Sequence, residues 1–268
     1  MAIDYSGMAF FLTKSERTLR RWENEKPEIF NMMLEQYAEQ VKQQSNNTSV
    51  VIATVSLKGG VGKSTISDAF GFYMDDSIIL NLDLAQPASQ VNACPTIDYV
   101  DHIENQSVAE IIHELSQKYR YVIIDTPGDP TAEVLEALKY ATKLIIPMTV
   151  GKRTRQATES TLHTFFGEGT VLTGVYDVFF LFNAYTDKKK RDEAAALFKE
   201  AYEEFKPYAA VKLNPKLGAL DASNAISTAE ESGKSIFQMV QENRTAYATA
   251  AKKMTVLCNQ IEEHFKLN

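Results

Sequence analysis

From Val50 onward the chain alternates short, almost continuously apolar runs with longer stretches whose apolar residues recur every three or four positions. The apolar runs at 50–56, 78–83, 121–125, 143–148, 177–183 and 208–212 predict strands. Near-continuous apolarity, in place of strict alternation, marks strands buried on both faces. The stretches near 64–74, 107–118, 131–140, 153–166, 188–206, 222–230 and 240–265 predict helices. Ser107-Val108-Ala109-Glu110 is a capping-box pattern that fixes the start of one of them. Strands and helices in alternation predict an α/β fold: a mostly parallel, twisted sheet flanked by helices on both faces. Ligands of such sheets bind at the carboxyl ends of the strands.

The first 45 residues read differently. Thr13-Lys14-Ser15-Glu16 has the capping-box pattern and opens a helix from Ser15 to about Glu25. That helix puts Arg17, Arg20, Arg21 and Asn24 on one side and Leu19 and Trp22 on the other. Tyr5 to Leu12 reads as a short apolar helix before it, which gives the layout of a helix-turn-helix unit. Thr18-Leu19-Arg20-Arg21-Trp22-Glu23-Asn24 resembles recognition helices of bacterial helix-turn-helix repressors. A small helical clip with solvated arginines is the competing reading. After Pro27 a second helix is predicted over Glu28 to about Lys42, with Ile29, Met32, Met33, Leu34, Tyr37 and Val41 forming a packing or dimerisation face. Gln43 to Ser49 is wholly polar and reads as a linker, dividing a helical extension at 1–45 from a main domain at 50–268.

Length and composition narrow the class. The 268 residues suit one α/β domain plus a small appendage. Cys94 and Cys258 are too far apart in sequence for a metal knuckle or a disulfide framework, so both are expected as reduced thiols. A net charge of −7 argues against a wholly basic nucleic-acid coat protein but leaves room for local basic patches. No apolar run reaches the roughly 18 residues of a spanning helix, and the N-terminus lacks the pattern of a secretory signal. The expectation is a cytoplasmic protein.

The chemistry centres on Lys58-Gly59-Gly60-Val61-Gly62-Lys63-Ser64-Thr65, which lies between a predicted strand and a predicted helix. Glycines in that context let backbone N–H groups curl around phosphate oxygens, and the helix N-terminus adds its positive end. Lys63 is then expected at the β- and γ-phosphates, with the Ser64 hydroxyl on Mg²⁺. The usual pattern has Gly six residues before this lysine; here Leu57 stands there and a second lysine, Lys58, follows it.

Tyr121-Val122-Ile123-Ile124-Asp125-Thr126-Pro127-Gly128 places a carboxylate at a strand's carboxyl end, where Asp125 can hold the water shell of Mg²⁺. Asp83, after Ile78 to Leu82, points to the same edge as a candidate for orienting an attacking water, or as a cap of the next turn. Asn183 ends another strand, where a side-chain amide can offer adenine an acceptor and a donor together. Asn183-Ala184-Tyr185-Thr186 lacks the Asn-Lys-x-Asp run of a guanine site, which favours ATP over GTP.

These elements together resemble the ParA/MinD family of deviant Walker-A ATPases over roughly residues 50–268, and the plasmid partition ParA proteins most. The resemblance implies an ATP-sandwiched homodimer in which Lys58 crosses to the partner's phosphates, as an arginine finger does. It implies ATP and Mg²⁺ as cofactors, slow hydrolysis, and the loop 58–65 with Asn183 as the nucleotide site. The family's second-strand motif usually reads Asp-x-Asp-Pro-Gln, whereas this chain has Asp83-Leu84-Ala85-Gln86-Pro87, so Asp83 matches either the first or the second family aspartate.

Partition relatives bind DNA non-specifically through scattered basic residues. The candidates here are Lys152, Arg153, Arg155, Lys188 to Arg191, Lys212, Lys216, Lys234, Arg244, Lys252 and Lys253. The resemblance also implies a centromere-binding adaptor that stimulates hydrolysis, and association with the nucleoid. The last helix has Met254, Leu257, Ile261 and Phe265 on one stripe but Glu262 and Glu263 beside it, which argues for core packing and against an anionic-lipid footprint. A MinD-like or cargo-positioning ATPase, and an ATP-sensing DNA-binding regulator, are the alternative functions.

Overall fold

Alternate residues of each central strand enter opposite cores. In the computed structural model Ala53, Ile78, Leu80, Val122, Ile124, Leu144, Ile146, Val178 and Phe180 face one core, while Ile52, Ile79, Ile123, Ile145, Phe179 and Leu181 face the other. A strand covered on both sides has no position for a polar side chain along its middle, which is why these runs are apolar throughout. The structure describes residues 16–34, 49–84, 94–151, 153–170 and 172–267.

The chain divides into two units at Thr48/Ser49. In the first, α1 (Glu16–Glu25) and a helical run at 27–34 are described. Leu19 is fully buried, while Arg20, Arg21 and Asn24 are exposed and Trp22 is half-buried. Arg21 and Glu25 form a loose pair at 3.7 Å, and Asn24 donates to the Arg20 carbonyl at 2.8 Å. The short apolar helix expected over 5–12, the Thr13 cap, the far half of the helix expected to reach Lys42 and the linker at 43–48 lie outside the described residues.

The second unit is built in order from β1 (Val50–Thr54), α2 (Lys63–Tyr73), β2 (Ser77–Asn81), β3 (Thr96–Asp98), α3 (Val108–Lys118), β4 (Tyr121–Asp125), α4 (Ala132–Leu138), β5 (Lys143–Thr149), α5 (Thr154–Phe166), β6 (Val175–Tyr185), α6 (Lys188–Phe205), β7 (Lys212–Asp221), α7 (Asn224–Glu231), α8 (Ile236–Glu242) and α9 (Arg244–Phe265). The strands form one sheet in the order β3-β2-β4-β1-β5-β6-β7, and every neighbouring pair is parallel. α3, α4, α5 and α6 cover one face; α2, α7, α8 and α9 cover the other. The expected α/β architecture with a helix-flanked parallel sheet is therefore present. β1 sits between β4 and β5, so the chain leaving it enters the crevice where the strand order reverses.

Three local features differ from the expected pattern. The last strand lies at 212–221 and not at 208–212, because Lys206-Pro207-Tyr208 forms a 3₁₀ turn that extends α6. β7 is an edge strand, and its exposed Lys212, Asn214, Pro215 and Lys216 concealed it; charge and proline blunt an unpaired edge. The short β3 forms the opposite edge and had too few apolar residues to register. The final helical stretch is two helices: Ser235 and Gln238 make a reciprocal capping box for α8, and Asn243 then caps α9. The expected box at Ser107 and Glu110 is formed. The stripe Met254, Leu257, Ile261 and Phe265 is buried in the second core.

Candidate functional site

The segment between β1 and α2 is a phosphate-loop sequence in a loop conformation that depends on its glycines. Gly60 and Gly62 adopt φ of +67° and +89°, a region that costs other residues about 1–2 kcal/mol. Val61 is buried and anchors the loop, whereas Lys58, Gly59, Gly60 and Ser64 are exposed. A Cβ at Gly59 or Gly60 would meet nothing within 4 Å, so the mouth of the loop opens to free space.

Lys63 is buried, and its Nζ donates to the Lys58 carbonyl at 3.3 Å, which folds the ammonium back over the loop. Burial pushes the Lys63 pKa down; the carboxylates of Asp125, Asp83 and Asp129 oppose that shift. Lys58 behaves differently. Its N–H donates to Ser56 Oγ at 3.3 Å, but its side chain is exposed and makes no ion pair among the described residues.

Asp125 ends β4 and is paired in register with Thr54 and Asn81. It accepts from Ser67 Oγ at 3.2 Å and from the Ser64 hydroxyl. Burial raises its pKa to about 6, while the two hydroxyls and Lys63 pull it back. Thr126 Oγ1 donates to the Thr54 carbonyl at 2.8 Å, and a Cβ on Gly128 would come within 3.1 Å of the Gly59 nitrogen. The Thr126-Pro127-Gly128 turn therefore lies directly against the loop. Asp83 stands two residues beyond β2, half-buried, with its N–H donating to Asn81 Oδ1 at 3.0 Å. Its charge acts on both Lys63 and Asp125, which places it at the same edge of the sheet.

Asn183 also meets the loop. Its Nδ2 donates to the Val61 carbonyl at 2.8 Å, and a Cβ on Gly62 would lie 2.1 Å from that nitrogen. The pairing of β6 with β7 shifts between Asn183 and Tyr185, and the intervening Ala184 adopts φ +54°. A bulge of this kind redirects the strand end next to a site. The bond to Val61 engages one of the two N–H donors of this amide.

Lys63, Ser64, Asp83, Asp125 and Asn183 thus converge around the loop, together with Ser67 and Asp129, which the sequence reading did not single out. Ser67 carried a usable signal, since a residue three positions beyond Ser64 in a helix shares its face. The donor set fits Mg²⁺, which takes one or two protein oxygens and keeps several waters: the Ser64 hydroxyl and the Asp125 carboxylate meet, beside open space at Gly59 and Gly60.

Several of the basic residues expected to face DNA are already neutralised. Arg155 bonds to Glu159, Glu200 and Glu204; Arg191 pairs with Asp192, Lys234 with Glu242 and Lys253 with Asp221. Burial is not their constraint; their charge is committed to structure, Arg155 joining α5 to α6. Lys188, Lys189, Lys190, Lys212, Lys216, Arg153, Arg244 and Lys252 are exposed with no ion pair among the described residues, and Lys152 lies outside these. No helix among the described residues is long and apolar enough to cross a membrane.

The family model of ATPase MipZ matches residues 72–150. No curated protein matches the chain. Among solved structures, Cyanothece McdA in its ATP complex superposes with a TM-score of 0.52 at 14% identity, over 82% of this chain and 97% of that one. The pNOB8 ParA bound to nonspecific DNA gives 0.53 at 12% identity, over 82% and 99%. The septum site-determining protein MinD from Pyrococcus horikoshii OT3, complexed with Mg-ADP, gives 0.52 at 15%, over 82% and 97%. At such identities the likeness is one of fold. Taken with the partial family match and the loop of Lys58 to Thr65, that fold fits the ParA/MinD family of ATPases.

Proposed function

We propose that the protein is an ATPase of the ParA type that dimerises around ATP, holds DNA non-specifically in that state, and segregates plasmid or chromosomal DNA. A centromere-binding adaptor would stimulate hydrolysis and release the dimer. The observation that carries this reading is the contrast between two lysines five positions apart: Lys63 buried over its own loop, Lys58 exposed without an ion-pair partner among the described residues. A cation at the mouth of a phosphate loop, with no ion pair among the described residues, is suited to a phosphoryl group held by a second copy.

Within one subunit the roles follow from position. The loop N–H groups and Lys63 bind and orient the phosphates, Ser64 and Asp125 hold the metal and its waters, and Asp83 is the candidate for orienting the attacking water. Mg²⁺ held by Ser64 and Asp125 would supply neutralisation of phosphate charge. Asn183 supports the loop through Val61. The start of α6, which follows the carboxyl end of β6, favours a DNA face. Lys188, Lys189 and Lys190 open α6, where cations oppose the helix dipole, and Asp187 offsets them by capping Lys189 and Lys190. Three lysines placed against local stability, at the carboxyl end of β6, are better explained by an anionic partner than by the fold. Residues 1–45 would serve as an operator-binding extension.

Light scattering tests the dimer. The wild-type chain should double in mass with ATP and remain monomeric with ADP. Lys58→Ala should still bind ATP yet fail to dimerise or to hydrolyse on stimulation; normal stimulated hydrolysis would remove Lys58 from this role. The MinD-like alternative predicts ATP-dependent co-sedimentation with anionic liposomes, for which the buried stripe of α9 offers no free apolar face.

A further inference from the structure

α7 meets the start of α2 through a polar contact: the Thr65 hydroxyl donates to a Glu230 carboxylate oxygen. The contact borders a cavity of about 160 Å³ lined by Ser64, Thr65, Asp68, Ile226, Glu230 and Lys234. Thr65 lies in the first turn of α2, where the free N–H groups and the helix dipole attract negative charge. Glu230 therefore supplies an internal anion to the end of the helix that a phosphate chain would occupy.

Its surroundings do not neutralise that anion. Asp68 and Glu231 add charge of the same sign, and the Lys234 ammonium is drawn to Glu242. Burial raises the pKa of both Asp68, to about 7, and Glu230, and neighbouring carboxylates add to each shift. α7 is also lightly held, since Ala229 is its one buried residue. A phosphate and a carboxylate cannot both take the Thr65 hydroxyl, and their like charges repel at hydrogen-bonding range.

We propose that Glu230 is a stand-in anion on Thr65 which an incoming nucleotide displaces, so that phosphate binding frees α7 from the loop. The inference rests on the reading of residues 58–65 as a nucleotide site. It makes the latch a competitor: the fraction of molecules with Glu230 seated on Thr65 lowers the apparent nucleotide affinity by that occupancy. It also gives α7, which leads into α8, a position that depends on whether the loop is filled.

Calorimetric titration of the full chain with Mg-ADP and Mg-ATP tests it, using wild type, Glu230→Gln and Lys63→Ala. Glu230→Gln keeps the size and an acceptor but removes the charge, and should bind either nucleotide about threefold to tenfold more tightly. The gain should shrink as salt is raised, because this contact is exposed. In wild type, nucleotide should speed amide exchange over 224–231. Glu230→Gln binding equal to or weaker than wild type would overturn the latch while leaving the loop reading intact, provided Lys63→Ala abolishes binding. Saturable binding by neither wild type nor Glu230→Gln would overturn both. Binding by Glu230→Gln alone would support the latch in its strongest form.

Discussion

The Asn183 side-chain amide donates to the Val61 carbonyl at 2.8 Å, joining the end of β6 to the middle of the phosphate loop across 122 positions of sequence. The contact exists because Gly62 has no Cβ; one built there would sit 2.1 Å from Asn183 Nδ2. The loop is thus braced from β6, two strands away across the sheet from β1, and is not shaped by its own glycines alone.

Gly62→Ala should therefore do two kinds of harm. It forces φ +89° on an alanine and drives Asn183 off Val61, for a combined cost of about 1–3 kcal/mol. Thermal unfolding without nucleotide should show that loss, and nucleotide affinity should fall at least tenfold. Gly59→Ala, whose Cβ would meet nothing within 4 Å, should unfold at the wild-type temperature.

Stability should also depend on pH through Asp68. Burial first, then the charges of Asp125 and Glu230, raise its pKa from an ordinary carboxylate value to about 7. Between that ordinary value and 7 the folded chain holds a proton that the unfolded chain releases, so this group makes stability fall as pH rises through the window. Asp68→Asn should flatten the fall, with a gain on the order of 1–3 kcal/mol above pH 7. Denaturant titrations of both proteins at pH 5 and pH 8 measure it; equal slopes against pH would show that Asp68 ionises at no cost.

Much of this was legible in sequence for a physical reason. Strands buried on both faces must be apolar throughout, so the central strands announced themselves, as did the Ser107 cap. The edge strand β7, with Lys212, Pro215 and Lys216, lacks that signature because one of its sides meets solvent. Within the site, Lys63, Ser64 and Asp125 belong to local motifs and were visible. Glu230 reaches Thr65 from 165 positions away, and no spacing rule connects them. The ion pairs of Arg155 were hidden for the same reason: a basic residue looks free in sequence until the fold brings glutamates from another helix to it.

The lysines at the start of α6 offer a test that separates DNA binding from folding. Replacing Lys188, Lys189 and Lys190 together by Glu puts acids where the helix dipole favours them, worth about 0.3–1 kcal/mol each. The variant should be at least as stable as wild type in a thermal melt, yet lose at least tenfold in DNA retention at moderate salt. Undiminished retention would move the DNA face elsewhere.

Most direct is the retention of a non-specific DNA duplex at one fixed salt concentration, compared between Mg-ATP and Mg-ADP. The ATP switch predicts at least tenfold tighter retention with ATP, and no such difference for Lys63→Ala. Retention by the wild-type chain that is the same with either nucleotide would contradict it.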